Sequence, residues 1–430
     1  MTDLLAARSQ MALSLAFHII FAIVGMVMPF FMARAHWLYL KKGDEDYLKL
    51  TKFWMKGVAI FFATGAVSGT ALSFELGLLW PEFMKYAGPI IGMPFSWEGT
   101  AFFLEAIFLG LYLYGFNRLK PYVHWTFSLL VGLCGLASGI FIMAANSWMN
   151  SPSGFDWNNG VATHIDPVRA MFNDAWLSQA QHMMIASFVA VSFLISGLHF
   201  IFYLKNKNDL NIKAIKVVQP FLVLSALLIP LSGDFSAKDV AKRQPLKLAA
   251  MESHFHSEKG AGLILGGLPN KKERKVEYGL KIPYALSFLA TGDFNGEVLG
   301  LEEFPEEEWP PLTVTHIAFQ IMVGLGTLMA FIALLHLFSG KLELWKKKWF
   351  LILNALATPF GLIALEAGWV VTEVGRQPWI IYGLLKTSEA LTPVPGIKWS
   401  LLVFTFVYLS LSVVVMWLMT RQFKAEGFIE

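Results

Sequence analysis

Long apolar runs recur along the whole chain, and they limit the possible folds more than any other feature of the sequence. A helix that crosses a bilayer needs about 20 mostly apolar residues. Composition agrees, because 56% of the 430 residues are apolar and only 15% are charged, against about 25% charged in soluble domains. The sequence therefore predicts an all-α polytopic membrane protein with about nine transmembrane helices. The predicted spans are 10–33, 55–80, 97–116, 123–148, 178–203, 212–233, 312–338, 349–372 and 399–420.

Positive charge is distributed unevenly between the two ends of these spans. Lys and Arg cluster in the segments that follow the first, third, fifth, seventh and ninth spans, for example at 41–42 and 346–348. Short loops rich in Lys and Arg stay in the cytoplasm. The N-terminus is therefore predicted to lie outside and the C-terminus in the cytoplasm.

One long polar segment interrupts the apolar pattern. It divides the chain into spans one to six (1–233), an extracytoplasmic loop (234–311), and spans seven to nine with a C-terminal tail (312–430). Loops of this length in compact proteins are usually functional or disordered. No internal repeat is visible in the sequence.

Charge and cysteine content exclude other classes of protein. The formal net charge of +3 is too small for a nucleic-acid-binding surface, so no nucleic-acid partner is expected. The single cysteine, Cys134, excludes a disulfide framework. It also leaves no CxxCH or CxxC motif for c-type haem or iron–sulfur ligation.

Ionisable side chains occur within the predicted spans, where lipid makes a charge costly. Such residues usually face the protein interior and mark a functional site. A buried histidine, in particular, needs a carbonyl, a carboxylate or a metal as its partner. The ionisable residues within or at the ends of the spans are His18, Glu75, Glu98, Glu105, His182, Glu366 and Glu373.

Three candidate metal ligands lie at similar depth. His18, His182 and Met322 each lie two to three turns below the outer end of a span that runs inward, at about 1.5 Å per residue. A His and a Met on opposite sides of one iron give six-coordinate, low-spin haem suited to electron transfer. Taken singly, His182 also fits an interfacial histidine, and Met322 is more often core filler than ligand.

Carboxylates are paired at a spacing of seven residues. Glu98 and Glu105 share one face of span three, two turns apart. The outer one fits an acid near a reaction centre and the inner one a proton relay, while the alternative is interhelical hydrogen bonding by neutral carboxyls. Span eight repeats the spacing with Glu366 and Glu373. Arg376 fits either an ion pair with Glu373 or a contact with a haem propionate.

The long loop contains a second candidate site in RQPLKLAAMESHFH (243–256). Glu252 can take a hydroxyl proton from a quinol head group, and Lys247 can hydrogen-bond one of its oxygens. The alternative is an amphipathic helix with solvated charges. His254 and His256 indicate a metal site only weakly, since no third ligand has suitable spacing.

These motifs resemble those of subunit I of the cytochrome bd-type quinol oxidases, in the form with a short quinol loop. The resemblance runs from about residue 5 to residue 420. It is carried by seven motifs in the same order: FHIIFA (17–22), WEGTAFFLEAIFLGLYLYG (97–115), ANSWMNSP (145–152), QPLKLAAMES (244–253), SFLATGDFNGEV (287–298), FQIMVGLG (319–326) and GWVVTEVGRQPW (368–379).

The resemblance implies roles for the candidate residues. His182 and Met322 match the axial ligands of a low-spin haem b. His18 and Glu373 match ligands of two high-spin haems, and which residue takes which haem stays open. The remaining matches are Glu98 beside the haem pair, Glu105 on the proton route, Lys247 and Glu252 in the quinol-oxidation loop, and Arg376 and Trp369 next to haem.

The resemblance also implies an activity and its partners. The chain is expected to be the haem-containing catalytic subunit of a terminal oxidase in the bacterial cytoplasmic (inner) membrane. It would oxidise quinol at the outer face and reduce dioxygen to water with protons from the cytoplasm, which generates a proton motive force. The expected cofactors are two haem b and one haem d, or haem b in place of haem d. The expected partners are a second large membrane subunit and one or more small single-span subunits.

One position departs from the family pattern. Some members have Arg two residues before the methionine ligand, near a haem propionate, and this chain has Gln320 there. The low-spin haem is therefore expected to be held or tuned differently.

Two other classes of protein are alternatives. A non-catalytic haem-binding paralogue would be expected to lose the high-spin ligands, yet His18, Glu98 and Glu373 are present. A proton-coupled transporter would be expected to have an internal repeat and broken helices in matching halves. A dithionite-reduced spectrum separates the three classes.

Overall fold

The computed structural model describes residues 1–158 and 161–425, and most of these residues are helical. The long helices are antiparallel to their neighbours in sequence and form a bundle. In chain order the helices are α1 (Asp3–Lys42), α2 (Glu45–Leu79), α3 (Pro81–Gly115), α4 (Pro121–Asn150), α5 (Pro167–Met171), α6 (Trp176–Asn206), α7 (Asp209–Arg243), α8 (Pro245–Glu252), α9 (Ala285–Thr291), α10 (Leu312–Phe338), α11 (Lys348–Leu356), α12 (Phe360–Val374) and α13 (Ile397–Ala425).

Among residues 1–158 and 161–425, short strands lie only in the segments between the long helices. Each has two or three residues and pairs with one antiparallel partner, so they add no sheet core. The prediction of an all-α polytopic fold is confirmed. The pairs are β1 (Asp156–Asn158) with β2 (Val161–Thr163), β3 (Glu258–Lys259) with β8 (Glu297–Val298), β4 (Leu263–Leu265) with β7 (Leu280–Ile282), β5 (Leu268–Asn270) with β6 (Lys275–Glu277), and β9 (Trp379–Ile381) with β10 (Leu385–Lys386).

Within the described residues, eight helical segments are long and apolar enough to cross a membrane. They correspond to all the predicted spans except the third. Helix α3 covers that span, is 35 residues long, and carries Glu98 and Glu105 in its apolar part. The architecture therefore agrees with about nine spans.

The eighth predicted span is two helices rather than one. Helix α11 ends at Leu356 and α12 begins at Phe360. Pro359 lies immediately before α12, where its missing N–H and fixed φ suit the start of a helix but prevent an unbroken one. The break divides the predicted span into the shorter α11 and the longer α12, and α12 carries Glu366 and Glu373.

Helix α7 continues to Arg243, beyond the predicted end of the sixth span at residue 233. The added turns are polar, and two ion pairs at a spacing of four residues support them. These pairs join Lys238 to Asp234 and Arg243 to Asp239. The loop proper therefore begins at Gln244.

The two ends of the bundle are distinct, and we name them by the chain termini. The N-terminal face holds the start of α1, the loop 244–311 and the start of α13, where the Ile397 N–H donates to Asp3 Oδ1 at 3.1 Å. The C-terminal face holds the α1–α2 and α6–α7 connections. There Lys213 Nζ donates to Asp44 Oδ2 at 2.6 Å.

Small residues let the helices that carry the site approach closely. A Cβ added at Gly361 in α12 would lie 2.4 Å from the Cα of Ala190 in α6. Ala190 is fully buried in the largest core cluster, together with Val191 of α6 and Val217 of α7. Glycine and alanine at such crossings allow backbone contact between membrane helices.

Candidate functional site

Two histidines are held in the same way by serines of a neighbouring helix. His18 Nδ1 lies 2.9 Å from Ser68 Oγ, and His182 Nδ1 lies 2.9 Å from Ser232 Oγ. Each hydroxyl donates its one proton to a carbonyl of its own helix at 2.9 Å. Each serine therefore accepts a hydrogen bond from Nδ1–H, which leaves Nε2 without a proton. Neutral imidazole with a free Nε2 is the form that ligates a metal.

Glycines lie beside two of the candidate ligands. A Cβ at Gly69 would lie 2.9 Å from His18 Cε1, and one at Gly368 would lie 3.0 Å from Met322 Sδ. A larger residue at either position would displace the ligand. This absence of side chains beside the ligands suits a flat group such as a porphyrin.

His182 and Met322 lie on different helices that share one buried cluster. Ile185 and Leu325, each three residues further along, pack against one buried cluster shared by α6, α7, α10 and α12. Helices α6 and α10 both start at the N-terminal face. The arrangement fits the expected axial pair of a low-spin haem.

Glu373 forms an ion pair with the buried Arg376, whose guanidinium has unused hydrogen-bonding capacity. Asn146 Nδ2 donates to Glu373 Oε1 at 2.7 Å, and Arg376 Nη2 donates to Oε2 at 2.6 Å. Arg376 is 3% exposed, yet its Nε and Nη1 have no hydrogen-bond partner among the described residues. Trp369 Nε1 also has none. Because buried N–H groups are almost always hydrogen-bonded, these orphaned donors fit the propionates of a bound haem.

Glu98 and Glu105 lie on the side of α3 that packs against α4. Ser138 of α4 donates to Glu98 Oε1 at 3.2 Å. Glu105 is 5% exposed and is enclosed by Gly25 and Gly135, where added Cβ atoms would lie 4.0 and 3.4 Å from its oxygens. The two carboxyls thus form one line between helices α1, α3 and α4.

The other predicted carboxyls are also inside the protein. Glu75 is 1% exposed and accepts a hydrogen bond from Ser14 at 2.8 Å. Glu366 Oε1 is buried without a partner. Sequence analysis recognised both residues as unusual but assigned neither of them a role.

Lys247 lies inside the protein rather than on the loop surface. Its Nζ donates to the Thr372 carbonyl at 3.0 Å and lies 3.4 Å from Asn150 Oδ1. Burial, followed by the nearby charge of Arg376, lowers the pKa of Lys247 to about 7. The residue therefore connects α8 with α4 and α12.

Glu252 lies on another side of the same short helix. Five residues separate it from Lys247, which corresponds to about 140° around the axis, so the two predicted quinol contacts do not meet directly. Glu252 is 3% exposed and its Oε2 has no partner. Burial raises the pKa of Glu252 to about 8.

The first turns of α10 anchor the loop. His316 is fully buried, with Nδ1 2.8 Å from the Met251 carbonyl and Nε2 3.2 Å from the Gly266 carbonyl. Gln320 Oε1 accepts from the Gly266 N–H, and its Nε2 donates to the Ile264 carbonyl, both at 2.9 Å. Gln320 therefore fixes the loop strand β4.

The two loop histidines do not form a metal site. His256 Nδ1 lies 2.8 Å from Glu302 Oε2 at an exposed position. His254 is buried, and its Nε2 has no partner. Within residues 1–158 and 161–425 no group of three or more His, Cys, Asp or Glu side chains could hold a metal ion.

Sequence analysis missed the residues that orient the ligands. Ser68, Ser232 and Asn146 each bond a candidate ligand directly. Serine is common in apolar helices, so its presence gives no signal by itself. Asn146 belongs to the motif ANSWMNSP, where the amide within an apolar helix was the available signal.

Comparison with known proteins identifies relatives along the whole chain. The sequence model of the cytochrome bd terminal oxidase subunit I family matches residues 6–427. The structure of bd oxidase from Geobacillus thermodenitrificans matches with a TM-score of 0.93 and 36% identity, over 99% of each chain. The cytochrome bd ubiquinol oxidase subunit 1 of Bacillus subtilis (strain 168) is 32% identical over 99% of this chain and 94% of its own length. A second Bacillus subtilis relative, 34% identical over 99% of this chain and 97% of its own length, is named for menaquinol.

Proposed function

The chain belongs to the cytochrome bd terminal oxidase subunit I family, and from this premise we propose how its residues serve the reaction of the enzyme. It is a subunit of a haem-containing quinol oxidase of the bacterial inner membrane and works with a subunit II. One or more small single-span subunits complete the proposed assembly.

The proposed orientation has the N-terminal face outside and the C-terminal face in the cytoplasm. Support comes from the excess of Lys and Arg in the connections of the C-terminal face. The loop 244–311 then meets quinol at the outer surface. Glu252, with its unpartnered Oε2, takes a hydroxyl proton, and Lys247 positions α8 against α12.

The proposed haem ligands are two histidines with a free Nε2, a methionine, and a carboxylate that keeps lone pairs beside its hydrogen bonds. His182 and Met322 would hold a low-spin haem b, while His18 and Glu373 would hold the two high-spin haems. Arg376 would bind propionates, and Trp369 would pack beside them. When bound, the haems supply electron transfer and the reduction of dioxygen to water. The proposed set is two haem b and one haem d, or haem b in place of haem d.

The carboxyls of α3 would move protons. Glu105, enclosed by Gly25 and Gly135, would receive protons from the cytoplasmic side and pass them toward Glu98. Quinol releases its protons at the opposite face. Because electrons and protons enter from opposite sides, turnover generates a proton motive force without a pump.

One observation carries this proposal beyond family membership. Both His18 and His182 lie inside the bundle with Nδ1 bonded to a serine and Nε2 free. A histidine that served only packing would gain nothing from a free, unprotonated nitrogen in an apolar interior. The same hydrogen-bonding arrangement at His18 and His182 supports two separate haem sites.

The test is a reduced-minus-oxidised spectrum and a carbon monoxide difference spectrum of the purified complex, with pyridine haemochrome analysis. We expect a low-spin haem b and a high-spin haem that reacts with carbon monoxide. A chlorin band at long wavelength would add haem d, and haem b alone would keep the oxidase without it. An intact complex with no carbon monoxide-reactive haem would overturn the catalytic assignment.

A further inference from the structure

The helix pairs α1–α2 and α6–α7 are two copies of one structural unit, which we call the first and the second histidine unit. Helices α2 and α7 are both 35 residues long. Each is N-capped by an Asp or Asn side chain, Asp44 or Asn208. Each cap follows a residue in the left-handed conformation, Gly43 with φ 68° or Lys207 with φ 51°. The sequence analysis did not detect this repeat.

The polar residues around the two histidines match one to one. In each unit a serine one turn before the histidine donates to an acid of the partner helix, from Ser14 to Glu75 at 2.8 Å and from Ser178 to Asp239 at 2.6 Å. All positions keep a constant offset in sequence. The matched pairs are Ser14 and Ser178, His18 and His182, Ser68 and Ser232, Gly69 and Gly233, and Glu75 and Asp239.

The units differ in the charge that faces the acid. Asp239 forms an ion pair with Arg243, four residues later on α7. The matching position on α2 is Leu79, which is buried and apolar. Asp239 thus has a cation on its own helix, whereas Glu75 has no cation at the equivalent place.

The surroundings of Glu75 are polar but incompletely bonded. Glu75 is 1% exposed, and its Oε2 has no hydrogen-bond partner in the part of the chain that the structure describes. Gln10 lies within hydrogen-bonding reach of the carboxyl, and its Oε1 also has no partner. The titratable group that faces Glu75 and Ser14 from α13 is Tyr408, whose hydroxyl lies near Ser14 but makes no well-aligned hydrogen bond to a described residue. A proton on Glu75 Oε2 would give these acceptors a donor, so both protonation states can be accommodated.

We infer that Glu75 binds a proton when the haem held by His18 gains an electron, and releases it when that haem is oxidised. Negative charge added in a low-dielectric interior favours the neutral form of a nearby carboxyl. One electron enters, one proton from water forms the carboxyl O–H bond, and reoxidation breaks that bond and returns the proton. Asp239 does not respond in this way because Arg243 already balances its charge. This inference rests on the proposed haem at His18.

The test uses the purified complex with E75Q, with D239N as the matched control, and with L79R, which places a cation where the second unit has Arg243. Infrared difference spectra between the reduced and oxidised states report carboxyl protonation. Potentiometric titration at several pH values reports the proton coupled to each haem. H18A identifies the haem that His18 holds by the signal it removes.

In the wild type we expect a carboxylic acid band on reduction and a His18-haem potential that falls by up to about 59 mV per pH unit, the equivalent of one proton per electron. E75Q and L79R should remove the band and at least halve the slope, while D239N should keep both. Retention of the wild-type band and slope in E75Q would overturn the inference, whether or not L79R assembles. If H18A removes no haem signal, the proposed ligand assignment fails instead.

Discussion

The first and second histidine units share a fold and a way of holding an imidazole, but the chain continues differently after each. Only Trp80 separates α2 from α3, which carries Glu98 and Glu105. After α7 the chain enters the loop 244–311, which is anchored by α10 next to Met322. One unit is therefore joined to buried carboxyls, and the other to the quinol loop and a thioether. Under the proposed function, the surroundings of a ligand, more than the ligand itself, separate an electron-entry site from a site that consumes protons.

The largest expected effect comes from removing the thioether. M322L keeps the volume of the side chain but cannot ligate iron, so the low-spin signal should be lost and quinol oxidase turnover should fall about 100-fold or more. Absorption spectra and quinol oxidation measure the two changes. An unchanged low-spin signal in M322L would show that the second unit has another ligand.

The serines should matter equally in both units. S232A and S68A remove the acceptor that fixes Nδ1–H, and loss of such a partner typically weakens metal binding about 10- to 100-fold. Haem content per complex, measured by pyridine haemochrome, should fall in both variants, each at its own haem. S232T and S68T retain the hydroxyl and serve as controls. Loss of haem in only one of the variants S68A and S232A would show that the two serines do not have the same role.

Electron entry should depend on pH through Glu252, close to the second unit only. The pKa of Glu252 is raised to about 8 by burial, and the carboxyl accepts a quinol proton only when ionised. The rate of haem reduction by quinol should therefore rise with pH between about 7 and 9. E252Q should lose that rise and lower the rate, while reduction by dithionite should be unchanged. The same pH profile in E252Q would exclude Glu252 as the base.

Replacing each of the two acids should change the free energy of unfolding of the protein by a different amount. D239N leaves the buried part of Arg243 without its carboxylate, at a cost of about 1–2 kcal/mol, because the two side chains are only 21% and 17% exposed. E75Q keeps an acceptor for Ser14 and breaks no ion pair, so it should change the free energy of unfolding less. Thermal denaturation of the detergent-solubilised complex compares them. Greater destabilisation by E75Q than by D239N would contradict the conclusion that Asp239, but not Glu75, is paired with a cation.

The smallest effect is expected from weakening the contact between α10 and the loop 244–311. Q320A removes two hydrogen bonds between α10 and the loop, each contributing about 1 kcal/mol. The KM for quinol should rise a few-fold while haem spectra remain those of the wild type. A shift of the low-spin spectrum in Q320A would mean that Gln320 also contacts haem.

Sequence reasoning identified the fold class because apolar length is a local property. The spans were located closely, yet the end of α7 was placed too early. The charged residues that form its ion pairs, Asp234 and Asp239 among them, are also typical of a loop. The break at Pro359 was not predicted. The break follows from Pro359 itself, because proline lacks the N–H that an unbroken helix needs.

The proposed ligand residues stood out in the sequence because His and Glu are rare within apolar spans. Their partners did not, since Ser68 and Ser232 are unremarkable residues whose value arises from contact across helices. Gln320 in place of Arg predicted that the low-spin haem is held differently, which stays a prediction, and the contacts of Gln320 with the loop were not foreseen. The repeat that relates Glu75 to Asp239 became visible only when the contacts of both serines could be compared.

Electron paramagnetic resonance of the oxidised complex tests the comparison of the two units most directly. The spectrum separates low-spin from high-spin haem iron, and the variants H18A and H182A assign each signal to a unit. The account predicts that H182A loses the low-spin signal and retains the high-spin signals, while H18A loses high-spin intensity and retains the low-spin signal. Loss of the low-spin signal in H18A, with its retention in H182A, would contradict it.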